Sequence, residues 1–62
     1  MVTDPLLIIS TLEEIEVAIN EMIDEVMDDK TMPKQYAFAL GEVLARIGDA
    51  LSLMRESELK TN

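Results

Sequence analysis

The chain has 62 residues, of which 48% are hydrophobic, and its 13 acidic and five basic residues give a formal net charge of −8. This length fits one domain, residues 1–62, and the negative charge argues against binding to nucleic acid or to anionic lipid. Because the sequence contains no cysteine and no histidine, it excludes disulfides, the usual zinc sites and the usual general base.

The first half of the chain predicts one helix over about residues 5–29. Hydrophobic side chains recur there at alternating steps of four and three, the spacing of a heptad stripe. They are Ile8, Leu12, Ile15, Ile19, Met22 and Val26. Asp4 before Pro5 is typical of an N-cap, whereas Ser10 with Glu13 offers a capping box as an alternative start. We favour the earlier start because Ile8 already fits the stripe.

A break at residues 28–33 separates this helix from a second one, predicted over about residues 32–56. Asp28 and Asp29 oppose the dipole at a helix C-terminus, so the first helix should end there. Thr31 is the predicted N-cap of the second helix. The second stripe consists of Tyr36, Leu40, Val43, Ile47, Ala50 and Met54. Residues 57–62 are expected to form a frayed tail.

The two helices predict an all-α fold, an antiparallel two-helix hairpin. Each apolar stripe is wider than one neighbouring helix can cover, so we expect a four-helix bundle formed by dimerisation, or docking on a helical protein partner. Gly41 and Gly48 lie in a row of small residues, and each glycine costs a helix about 1 kcal/mol, which favours a close approach by a partner. The predicted partner-binding residues are Leu6, Leu7, Tyr36, Phe38, Leu40, Gly41, Leu44, Ala45, Gly48 and Leu51.

No catalytic residue, metal site or cofactor is predicted. Glu13 and Glu16 have the spacing that di-metal helical bundles use, but the second helix offers no matching acidic pair, and both side chains lie off the stripe. The acidic residues of the first helix are therefore interpreted as a solvated surface. The longest uncharged run, residues 5–12, is too short to cross a bilayer and no basic segment precedes it, so we expect a cytoplasmic protein.

The start of the second helix, Pro33-Lys34-Gln35-Tyr36, carries a resemblance. With the alanine- and leucine-rich run that follows, to about residue 54, it resembles the small helical-hairpin co-chaperones of type III secretion needle subunits. The resemblance implies a cytoplasmic hairpin that binds a larger helical-repeat chaperone, the two together holding the needle subunit soluble.

The sequence thus predicts a non-enzymatic protein–protein interaction module, a small acidic chaperone or adaptor that binds a helical protein. The alternative is a homodimeric four-helix-bundle regulator or inhibitor that uses its acidic face.

Overall fold

A computed structural model of the chain describes residues 4–60, which form two helices, α1 (Pro5–Asp28) and α2 (Gln35–Lys60). The helices pack against each other along their length in a hairpin that measures 49 × 20 × 16 Å. No strand occurs among residues 4–60. The predicted all-α helical hairpin is confirmed, and in this part of the chain neither helix is long and apolar enough to span a membrane.

Helix α1 begins at the earlier of the two predicted starts. The Asp4 carboxylate accepts a hydrogen bond from the backbone N–H of Leu6 at 3.0 Å, and Pro5 occupies the first turn. Both features suit a helix N-terminus, where the first backbone N–H groups lack acceptors within the helix. Proline has no backbone N–H, so it leaves no donor unpaired there. Ser10 is consequently an interior residue of α1 rather than its cap.

Helix α2 begins later than predicted, and Thr31 does not cap it. The Thr31 hydroxyl donates to the Asp29 carboxylate at 2.6 Å instead. Backbone carbonyls accept from N–H groups near the start of α2 instead, since Tyr36 donates to the carbonyl of Pro33 at 3.1 Å and Ala37 donates to that of Lys34 at 3.0 Å. Helix α2 also continues to Lys60, so residues 57–60 of the expected tail are helical, while residues 61–62 lie outside the described part.

The core of the hairpin is small. Among the described residues, the hydrophobic side chains that are buried are Ile9, Ile19, Val26 and Leu51, and only Leu51 is almost fully enclosed, at 1% exposed. Two helices have only one line of contact, so most of each apolar surface cannot be covered by the other helix. The fold therefore leaves much hydrophobic surface exposed.

Candidate protein-binding surface

Only half of each predicted stripe faces the neighbouring helix. In α1, Leu12, Ile19 and Val26 are buried or half-buried, whereas Ile8, Ile15 and Met22 are 39%, 41% and 45% exposed. The residue that follows each of these exposed side chains faces α2 instead. These residues are Ile9, Glu16 and Ile23, which are buried or half-buried. The predicted stripe is therefore corrected by a rotation of the helix about its axis.

Helix α2 divides in the same way. Leu40, Ile47 and Met54 are half-buried, while Tyr36 and Val43 are 55% and 45% exposed. Ala50, seven residues after Val43, lies in the same row but is half-buried. Because a spacing of seven returns to nearly the same side of a helix, each helix carries a more exposed apolar row beside a more buried one.

The two exposed rows lie on the same side of the hairpin. Near the loop, Met22 and Val26 of α1 line an open groove of about 400 Å³ together with Met32, Tyr36 and Leu40. At the other end of the hairpin, Ile8 lies in a second groove with Met54 and Ser57 of α2. We call this side the groove face and define it by Ile8, Ile15, Met22, Tyr36, Val43 and Ala50.

The opposite side of the hairpin carries charged residues beside an open groove of about 550 Å³ that Leu6, Ile9 and Leu59 line. Arg55 of α2 forms an exposed ion pair with Glu13 of α1. Glu16 is half-buried between the helices, which corrects the prediction that it lies in solvent. Its carboxylate oxygen lies 4.0 Å from the position that a Cβ atom on Gly48 would take. We call this side the glycine face and define it by Glu13, Gly41, Gly48 and Arg55.

The connection between the helices is held by Asp29 and Lys34. The Lys34 ammonium group donates hydrogen bonds to the carbonyl oxygens of Val26, Met27 and Asp29 at 3.0, 3.1 and 3.2 Å. These are carbonyls at the end of α1, which lack N–H partners within the helix. Hydrogen bonds from the Thr31 side chain and backbone, with the nearby Lys34 charge, lower the pKa of the Asp29 carboxyl from its ordinary value.

The structure separates the predicted partner-binding residues into distinct locations. Tyr36 and Leu40 line the groove face, whereas Leu44 is half-buried and Leu51 is a core residue with no surface left for a partner. Leu6 lies beside Arg55 and Leu59, and Leu7 lies beside Thr11, near the start of α1. Phe38, at 77% exposed, Gly41, Ala45 and Gly48 lie off the groove face.

The hairpin itself makes no close approach at the glycines, so the predicted approach by a partner stays a prediction. Apart from its chain neighbours and the adjacent backbone of α2, no described atom lies within 4 Å of a Cβ position on Gly41, and the Glu16 carboxylate lies 4.0 Å from that of Gly48. Met32 and Ala39 also line the groove, although neither belongs to the predicted partner-binding residues. The sequence pattern indicates these two residues only weakly, because Met32 lies in the turn between the helices and the side chain of Ala39 is small.

The acidic residues of the described part of the chain do not form a metal site. Between residues 4 and 60 no group of three acidic side chains lies close enough together to hold a metal ion. No family model, curated protein or solved structure matches the chain. The groove face is the surface on which exposed hydrophobic residues of both helices lie side by side.

Proposed function

We propose that this protein is a non-enzymatic protein–protein interaction module, a small acidic adaptor that binds a helical protein through its groove face. The supporting observation is that two rows of hydrophobic side chains, one from each helix, lie on the same side of the hairpin, and that five of their six members are exposed. Contiguous apolar surface of this kind marks protein interaction sites because its exposure to water is unfavourable.

A helical partner fits the spacing of the groove face. Ile8, Ile15 and Met22 repeat every seven residues, as do Tyr36, Val43 and Ala50. Ridges with this repeat accept the side chains of another helix running roughly parallel to the hairpin axis, as in four-helix bundles. A helix that presents anchors at the same spacing would cover both rows at once.

The acidic surface of α1 suits a protein that must remain soluble while presenting apolar residues. Glu14, Glu21 and Asp24 are exposed, and no basic residue occurs anywhere in α1. The resemblance of residues 33–54 to co-chaperones of type III secretion needle subunits, which are short helical hairpins that bind protein, also supports a helical protein as the partner. Tyr36, which belongs to that segment, lines the groove.

Site-specific photocrosslinking at the two aromatic positions tests this proposal. Tyr36→p-benzoylphenylalanine places a photoreactive group on the groove face, and Phe38→p-benzoylphenylalanine is the matched control, because both replace an exposed aromatic residue in the first turns of α2. Irradiation in the organism that produces the protein should yield a protein adduct at position 36 and much less at position 38. Mass spectrometry of the adduct identifies the captured segment, which we expect to be helical.

An adduct at position 38 with none at position 36 would overturn the proposal, because the interaction surface would then lie on another side of the hairpin. The absence of adducts at both positions would also count against it. Circular dichroism of the two purified variants verifies that each remains helical before the comparison is made.

A further inference from the structure

We propose that the groove face is covered by a second copy of this chain, giving a homodimeric four-helix bundle in which α1 of one subunit lies beside α2 of the other. This inference rests on the proposed function, that the groove face binds helical protein, and it names the partner. Exposed area, the match between the two rows and the distribution of charge support it.

The accessible surface of the single hairpin is large enough for dimerisation to bury an extensive interface. The chain exposes 5116 Å², whereas a compact protein of this mass exposes about 4,000 Å². A compact dimer of about 14 kDa exposes about 6,700 Å², so pairing two hairpins would bury roughly 3,500 Å² in total. That area falls within the roughly 2,000–5,000 Å² range of obligate homodimers.

The groove face is complementary to a rotated copy of itself. Its rows on α1 and α2 have the same spacing and run along the same side of the hairpin. A two-fold axis parallel to the helices places the α1 row of each subunit against the α2 row of the other, with all neighbouring helices antiparallel. A two-fold axis perpendicular to the helices would instead place α1 against α1 and α2 against α2. Both give the closed, isologous contact typical of homodimers.

Charge distinguishes these two arrangements. Helix α1 contains acidic residues and no basic residue, so contact between the two copies of α1 would bring like charges together. Arg46 of α2 is three residues after Val43 and four before Ala50, which places it along the edge of the groove face. It forms no ion pair among residues 4–60. Only the arrangement with α1 beside α2 brings Arg46 next to the acidic helix of the partner subunit.

Cysteine crosslinking tests the arrangement directly, and the absence of native cysteine removes background. Thr11 and Leu53 flank the exposed rows of α1 and α2, at the end of the hairpin where Ile8 lies near Met54. Each subunit's Thr11 would meet Leu53 of the partner subunit. A mixture of Thr11→Cys protein and Leu53→Cys protein, one of them carrying a tag, should form a mixed disulfide dimer on mild oxidation. Ala18→Cys is the control, because Ala18 lies near the middle of α1 and would pair with itself only if the two copies of α1 were in contact.

Light scattering and sedimentation measure the association itself. We expect a dimer, and Ile15→Glu should raise its dissociation constant by at least about tenfold because it places charge in the buried interface. Val17→Glu adds the same charge to an exposed hydrophobic position two residues along α1, on the other side of the helix, and should change the constant by no more than about twofold.

Three results would overturn this inference, and they separate it from the proposed function. If the chain is monomeric over about a hundredfold range of concentration while position 36 crosslinks to a different protein, the groove face binds protein but not a second copy. If Ala18→Cys crosslinks efficiently and the Thr11 and Leu53 mixture does not, the arrangement of helices is wrong. If a dimer forms that Ile15→Glu leaves intact, the dimer interface does not use the groove face, and only the photocrosslinking result then bears on the proposed function.

Discussion

The ammonium nitrogen of Lys34 lies 3.0 Å from the carbonyl oxygen of Val26, the last buried residue of α1. Lys34 immediately precedes α2, so this hydrogen bond joins the start of the second helix to the end of the first. It also places a positive charge at a helix C-terminus that contains Asp28 and no basic residue, where the helix dipole favours a cation. Lys34 thereby compensates for an unfavourable distribution of charge in α1.

Replacing Lys34 by methionine should destabilise the hairpin. The variant loses three hydrogen bonds to carbonyl oxygens, and we expect the free energy of unfolding to fall by about 1 kcal/mol. Lys30→Met is the control, because Lys30 lies in the same connection and loses the same charge without a described hydrogen bond. Urea unfolding at equal protein concentration provides the measurement. Equal losses in the two variants would show that net charge, rather than capping, is responsible.

The pKa of Asp29 predicts a specific dependence on pH. Because its pKa is lowered from 3.8 in the folded chain, the ionised carboxylate stabilises the fold at pH values above about 3.8. This contribution is lost as the pH falls through the lower pKa of the folded state. Asp29→Asn keeps an oxygen acceptor for Thr31 but cannot ionise, so it lacks the contribution at every pH. The difference in unfolding free energy between the two proteins should therefore shrink as the solution is acidified from pH 6 to below the folded pKa. Parallel curves over that range would contradict this account of Asp29.

The two glycines of the glycine face should tolerate alanine. The Cβ position of Gly41 is open, and that of Gly48 makes only an ordinary contact with Glu16. Gly41→Ala and Gly48→Ala should each raise the free energy of unfolding by about 0.5–1 kcal/mol, since alanine restricts the unfolded chain and favours helix. Ala45→Gly, on the same helix and exposed, is the reverse control and should lower it by a similar amount. Thermal melts would reveal a contrary result, a loss of stability at Gly41, which would mean that another chain packs against the glycine face.

The hairpin itself could be predicted from sequence because both helices have long, regular hydrophobic repeats. The start of α1 could also be predicted, since Asp4 and Pro5 form a local cap that depends on no distant residue. The start of α2 could not be predicted in this way. Thr31 suits a helix cap and a turn equally well. It lies in a turn because its backbone N–H and its hydroxyl both donate hydrogen bonds to the Asp29 carboxylate.

The orientation of the helices about their axes was the harder part to predict. Hydrophobicity alone favours Ile8, Ile15 and Met22 as inward residues over a neighbouring row that contains Glu16. The structure turns the row with Glu16 toward α2, where its carboxylate lies beside Gly48. A placement of this kind depends on a residue of the other helix, so a periodicity within α1 cannot reveal it. The same rotation exposes the groove face.

Truncation of Leu51 should destabilise the hairpin strongly. Its side chain is 1% exposed and belongs to a core of few residues. Leu51→Ala removes buried methyl groups and leaves a cavity, which costs about 2–5 kcal/mol in a packed core. A domain of this size has little stability to lose, so the helical circular dichroism signal should fall markedly at room temperature. Leu7→Ala makes the same truncation at a side chain that is 64% exposed, and it should change the free energy of unfolding by less than about 0.5 kcal/mol. If Leu7→Ala proved as damaging as Leu51→Ala, the start of α1 would have to be buried by another chain, and the interface would extend beyond the groove face.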